Sequence, residues 1–183
     1  IGDELLIGQT IDTNSAFMAQ ELNKIGVWVH RRLAVGDVWK DITQSLDEES
    51  RLSDIILITG GLGPTADDIT KPLLCQYFGG KLVVDEGALA NVKTIFEKLN
   101  RPLIERNLKQ AEVPDVCTVV QNKRGTAPGM WFEKEGKIFV SMPGVPHEMK
   151  GMMLHDVLPK LQRRFHLLPI VHRTLLTAGI GES

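Results

Sequence analysis

The residues with the clearest chemical promise lie in one stretch, Ile56 to Leu74, which reads ILITGGLGPTADDITKPLL. Gly60, Gly61 and Gly63 permit positive φ and let a ligand reach main-chain N–H groups with no Cβ in the way, a common arrangement for phosphate. The helix expected after Thr70 turns its positive end toward the same place. Asp67 and Asp68 fall between these two sets of donors. Carboxylates repel a phosphate unless a divalent cation bridges them, so the combination suits Mg²⁺ with phosphate better than phosphate alone. The same residues also fit a plain strand-to-helix turn with an aspartate cap. The string is neither GxxxxGK[ST] nor GxGxxG, so it carries no Walker or dinucleotide fingerprint.

Two other segments converge on this edge. Asp3 and Glu4 follow what reads as the last step of a strand, which sets them at the carboxyl edge that the glycine loop occupies. Ser141 to Pro146 leaves a hairpin strand and enters a helix. Pro143 and Pro146 read as a rigid turn, whereas Gly144 and Glu148 fit a site or a cap equally well.

The elements that must hold these residues alternate. Asp12, Thr13 or Asn14 caps a helix over 15–25, with Phe17, Met18, Leu22 and Ile25 as its apolar face and Gly26 as its C′ residue. Val27 to Val35 has strand bias, and Asp37 caps a second helix with Val38, Ile42 and Leu46 on one face. A buried strand over 54–59 leads to the glycine loop. A helix over 71–78 follows, with Thr70 as N-cap and Pro72 in its first turn. Then come a strand over 82–84 and a helix over 86–99. Such alternation implies βαβ units and a parallel sheet. After Pro114 the pattern becomes a hairpin around Glu135-Gly136, and then a helix from about His147 with Met149, Met153 and Leu154 on its apolar face. The expected fold is therefore three-layer α/β, with a mostly parallel sheet and an antiparallel hairpin strand. A final strand is expected over 170–177.

Bulk properties exclude several classes. The 183 residues, 43% apolar and 24% charged, suffice for one core, and the net charge of -2 gives no electrostatic reason to bind nucleic acid or an anionic membrane. No apolar run approaches the ~18 residues of a membrane span, and no secretory leader pattern opens the chain. Cys75 and Cys117 read as two reduced thiols. The expectation is a cytoplasmic protein. None of the five histidines has ligand spacing. Trp28, Trp39 and Trp131 read as core or interface residues.

GDELLIGQTIDTNS, ITGGLGPTADDIT, NLKQAEVP, GTAPGMWFE and MPGVPHEMKGMM occur together and in order. In these the chain resembles the N-terminal domain of the CinA family of competence/damage-inducible proteins, itself similar to the molybdopterin-binding domain of molybdenum cofactor biosynthesis enzymes. The resemblance covers essentially the whole chain. It implies a domain over 1–168, with 169–183 beginning a linking domain, and no deamidase activity in this piece. It also implies a homo-oligomer and metal-dependent hydrolysis of ADP-ribose to AMP and ribose 5-phosphate. On that reading Asp67 or Asp68 holds a divalent metal, Mg²⁺, Mn²⁺ or Co²⁺, and the Gly60 to Gly63 amides take phosphoryl oxygens. Asp3 or Glu4 orients the water or joins the metal shell. Thr65, Ser141 and Glu148 are then candidates for hydrogen bonds to phosphate or ribose, and Asn107, Lys109 and Gln110 come from NLKQ. A molybdopterin-binding or adenylyl-transferring protein and a non-catalytic nucleotide-binding module are the alternatives.

Overall fold

The chain begins with a single helical turn, α1 (Asp3–Leu6), and the first long helix, α2, runs from Thr13 to Lys24. Asp12 starts α2 by accepting from Ser15 N at 2.9 Å, and Gly26, at φ 87°, ends it. The computed structural model describes residues 1–65, 67–168 and 179. Helix α3 (Trp39–Leu52) precedes strand β1 (Ile55–Thr59), and α4 (Thr70–Tyr77) follows the glycine loop. Next come β2 (Leu82–Val84), α5 (Glu86–Lys98), the short α6 (Glu105–Leu108), a 3₁₀ turn over Lys109–Ala111, and β3 (Glu112–Pro114). Strands β4 (Thr118–Val120), β5 (Gly129–Lys134) and β6 (Lys137–Met142) lead to α7 (Pro146–Met152), a π-helical segment Met153–Val157, and α8 (Leu158–Phe165).

The main sheet has the order β1-β6-β5-β4. Strand β1 runs parallel to β6, with Ile56 opposite Phe139 and Ile58 opposite Ser141, while β5 is antiparallel to both β6 and β4. Glu135 and Gly136, at φ 53° and 79°, make the tight turn between β5 and β6 that the sequence announces. Strands β2 and β3 form a separate antiparallel pair. The fold is α/β in three layers. On one face Met18 and Leu22 of α2, Met149 of α7 and Leu161 of α8 pack on Ile138, Val140 and Met142. On the other, Ile42 and Leu46 of α3 and Leu73 and Leu74 of α4 pack on Ile56, Ile58, Met130, Phe132 and Phe139. Phe78 stacks on Phe132 with ring centroids 4.1 Å apart.

Several expectations are corrected. Val27 to Val35 forms no strand among the described residues: Val27 and Val29 pack beside one core cluster and Val35 beside the other, so burial is met without a ladder. Asp37 does not cap α3; Val38 occupies that position, and the Asp37 carboxylate accepts from Asp3 N at 3.1 Å instead. Thr70 is the first helical residue of α4 rather than its cap, because its N–H is taken by Gly61 O at 3.1 Å. Leu154 faces solvent while Met149 and Met153 are buried, since the π-helical segment shifts the register of the apolar face. Strand β1 is fully buried at Ile56 and Ile58 and half-buried at alternate residues, not buried on both faces. Trp131 is a core residue and Trp28 is exposed. Cys75 and Cys117 are free thiols. The strand expected over 170–177 lies outside the described residues, as does most of 169–183. No helix among the described residues is long and apolar enough to cross a membrane.

Candidate functional site

At the carboxyl ends of the parallel pair β1 and β6 the chain leaves the sheet in two loops, and a cleft of about 500 Å³ opens between them. Its walls are the Gly60–Pro64 loop, the Pro143–Pro146 loop entering α7, the start of α2 around Asp12 to Asn14, and Glu4 of α1. Glycine is required where these pieces meet. Gly60 and Gly61 have φ of 101° and 64°; a Cβ on Gly60 would run into Ile1 O, and one on Gly61 into the Thr70 side chain. Gly144 lies against Gly60, where a Cβ would stand 3.3 Å from Gly60 Cα.

The internal bonds of the loop decide which amides are left for a ligand. Gly60 N donates to Met142 O at 3.2 Å, carrying the ladder one residue past the strand, and Gly63 N donates to Asp68 Oδ1 at 2.8 Å. The cradle expected from all of Gly60 to Gly63 is therefore narrower, because the Gly60 and Gly63 amides are already engaged within the protein. Asp68 is the brace of this loop: its second oxygen accepts from Thr65 N at 2.9 Å and from the Thr65 hydroxyl.

Six carboxylate residues line the cleft: Glu4, Asp12, Asp37, Asp67, Asp68 and Glu148. Asp12 is held by Ser15, whose backbone and hydroxyl both donate to it. Although burial pushes the other way, these bonds and the nearby Arg32 set its pKa below the usual carboxylate value. Glu148 Oε2 accepts from Asn122 Nδ2 at 2.6 Å. Asp3 is not brought to the cleft: its carboxylate accepts from Asp37 N at 3.0 Å, completing a reciprocal brace. Among the described residues no three His, Cys, Asp or Glu side chains converge as a ready-made metal centre.

The remaining candidates disperse. Thr65 and Lys109 line a neighbouring recess of about 370 Å³ on the far side of the Asp68 loop, and Gln110 lines both spaces. Lys109 is exposed and lies 3.6 Å from Glu105. Asn107 caps α6 by accepting from Ile104 N at 3.2 Å. Ser141 is buried in β6, beneath the cleft rather than lining it.

Asn14, Asp12, Asp37 and Thr126 line the cleft and Asn122 supports it, yet none was a candidate from sequence; the DTN cap signal was the available pointer to the first two. Lys71, which carries no signal in the sequence, lines the neighbouring recess. It is buried at 8% exposure, donates to Gln110 O at 3.1 Å, and burial pulls its ammonium pKa down against the opposing pull of Glu112 and Asp68. A second groove of about 480 Å³ follows the edge of β1 between α2 and α3 and adjoins the cleft at Ile1, Leu5, Asp12 and Thr59.

Comparison with known proteins identifies the family and the fold. Residues 1–163 match the profile of a family described as "Probable molybdopterin binding domain". Over 184 aligned residues the chain is 49% identical to a CinA-like protein of Flavobacterium psychrophilum, covering 100% of this chain and 44% of that protein. The chain thus spans less than half the length of that curated relative. The crystal structure of protein CinA from Thermoplasma acidophilum, of unknown function, superimposes with a TM-score of 0.73 at 35% identity, covering 89% of this chain and 92% of that one. Tungsten cofactor synthesizing protein MoaB from Pyrococcus furiosus shares the fold at a TM-score of 0.55 and 18% identity, over 89% and 91% of the two chains. Its glycine loop at the β1 edge, its three-layer sheet and these matches together mean that the chain belongs to the molybdopterin-binding-domain family and is CinA-like along its length.

Proposed function

We propose that the cleft binds a small phosphorylated molecule of the molybdopterin or nucleotide type, with its phosphate against the Gly61 and Leu62 amides. The observation that carries this reading is the glycine loop at the end of β1, where a Cβ on Gly60 or Gly61 would clash and where a helix starts a few residues on.

The finer reading is hydrolysis of ADP-ribose to AMP and ribose 5-phosphate. It is favoured by the six carboxylates of the cleft, which disfavour a bare diphosphate and suit one accompanied by a divalent cation. The donor set fits Mg²⁺, which is commonly held by one or two carboxylates with substrate phosphates and waters completing its shell; Mn²⁺ and Co²⁺ are to be tested beside it. Asp67, with Asp68 behind it, would hold the ion, which would neutralise phosphate charge and acidify a bound water. Within the chain, the Gly61 and Leu62 amides would steady the phosphoryl oxygens, and Glu4, rather than Asp3, is the α1 carboxylate in reach of the cleft to orient the attacking water. Water adds to one phosphorus and gives up a proton toward Glu4, the phosphoanhydride P–O bond breaks, and the bridging oxygen leaves with the other monophosphate, its charge met by a proton from solvent.

The test is calorimetric titration with ADP-ribose and with hydroxymethylpterin diphosphate, with and without Mg²⁺, Mn²⁺ or Co²⁺, while AMP is followed by chromatography. Binding that requires the cation supports the cleft reading, and AMP formation that is lost on chelation supports the hydrolase. No binding of either compound would dispose of both. A homo-oligomer is likewise proposed, and sedimentation of the chain at micromolar concentration tests it.

A further inference from the structure

Four buried side-chain atoms lack a hydrogen-bond partner among the described residues: Asn14 Oδ1, Thr70 Oγ1, Gln110 Oε1 and Ser141 Oγ. All four surround the glycine loop. Asn14 and Gln110 line the cleft, the Thr70 side chain lies against Gly61, and Ser141 is registered with Ile58, two residues before Gly60. Hydroxyls can rotate to donate or accept, but an amide oxygen can only accept. Leaving such an acceptor buried without a donor costs about 1–3 kcal/mol.

Asn14 is the most constrained of the four. It is 8% exposed, and its Nδ2 donates to Gly144 O at 2.7 Å. Turning the amide over would set its oxygen against that carbonyl, so the orientation is fixed and Oδ1 is held as an acceptor. The residue sits in the first turn of α2, and the wall it forms meets the Gly144 loop that packs on Gly60.

We propose that Asn14 is a specificity-determining residue, whose Oδ1 accepts a hydrogen bond from an O–H or N–H group of the ligand next to its phosphate-binding end. The inference rests on the reading of the cleft as a phosphate-ligand site. A sugar hydroxyl and a pterin ring N–H share this donor chemistry, whereas inorganic diphosphate has no donor beyond its phosphates. A site built to pair with a donor discriminates strongly against an analogue without one, because its buried acceptor is then left unpaired.

The experiment is titration of wild type, Asn14→Ala and Asn14→Asp with ADP-ribose, hydroxymethylpterin diphosphate and inorganic pyrophosphate in Mg²⁺. Asn14→Ala is expected to weaken ADP-ribose or the pterin by about tenfold or more, while pyrophosphate changes by less than about threefold. Whichever compound shows the loss identifies the source of the donor. Asn14→Asp keeps an acceptor but loses the Nδ2 donor to Gly144 O, so the disturbed loop and the added charge weaken all three diphosphates together while the preference over pyrophosphate should survive. Equal weakening of all three ligands by Asn14→Ala would overturn the proposal, since the residue would then merely brace Gly144. If wild type binds none of the three, pyrophosphate included, the phosphate reading itself fails and this inference falls with it.

Discussion

Asp68 serves the glycine loop from behind: its carboxylate accepts from Gly63 N, Thr65 N and the Thr65 hydroxyl, closing the loop that precedes α4. Asp68→Ala removes the common acceptor of these groups. The expected outcome is a stability loss of about 1–3 kcal/mol in urea titration and at least about tenfold weaker ligand binding by calorimetry. Unchanged values of both would mean that the loop holds its shape without the brace. Gly61 is a second residue with a defined cost. Gly61→Ala meets both a positive φ and the Thr70 side chain, whereas Gly8→Ala, at φ 74° with nothing within 4 Å, meets only the backbone penalty. Gly61→Ala should therefore destabilise by more than Gly8→Ala, whose cost is about 1–2 kcal/mol. Equal losses would show that the Thr70 contact yields freely.

Among the elements, the helices were the most legible. Of the three residues open as the cap of α2 the structure uses Asp12, and it uses the glycine after that helix; Asp85, which caps α5, carries a signal of the same kind but is not among the expected caps. The glycine loop and the β5–β6 turn were readable for the same reason, because positive φ leaves a mark in residue type. The strand expected over Val27 to Val35 does not form, because β-branched residues announce burial as readily as strand pairing, and only the partner edge decides between them. The site was half legible. Glu4, Asp67, Gly144 and Glu148 reach the cleft, but the cap signal that marks Asn14 says nothing of a cleft, and Asp37 arrives there through tertiary packing that no spacing encodes. Asp3 pointed elsewhere once Asp37 offered it a reciprocal bond. The π-helical segment after α7 makes a prediction at this scale. Met149→Ala and Leu161→Ala should each cost about 2–5 kcal/mol in urea titration, while Leu154→Ala, at a position 43% exposed, should cost far less. A large loss at Leu154 would restore the unbroken helical face.

The whole molecule joins two clusters of buried side chains across one mixed sheet, and its alkaline behaviour follows from groups near the α4 side. Burial, with a smaller effect from Asp85, pushes the Cys117 thiol up to about 11 from 9.0. Burial and then the hydrogen bond to Asp47 push the Tyr77 hydroxyl up to about 12 from 10.0. Both groups are neutral when protonated, so the unfolded chain ionises first as pH rises. Their stabilising contribution is complete below the unfolded pKa and is lost as pH climbs toward the folded one. Stability measured by denaturant titration should decline between pH 9 and about 11, and Cys117→Ala should reduce that decline. An identical pH profile in the variant would contradict the assignment. The location of the ligand is the most direct test of the function proposed for the molecule. A crystal structure grown with ADP-ribose and Mg²⁺ is expected to hold the diphosphate against the Gly61 and Leu62 amides, with Asn14 within hydrogen-bond distance of a ligand donor. A ligand seated instead in the groove along the edge of β1, with the glycine-loop cleft filled only by water, would contradict it.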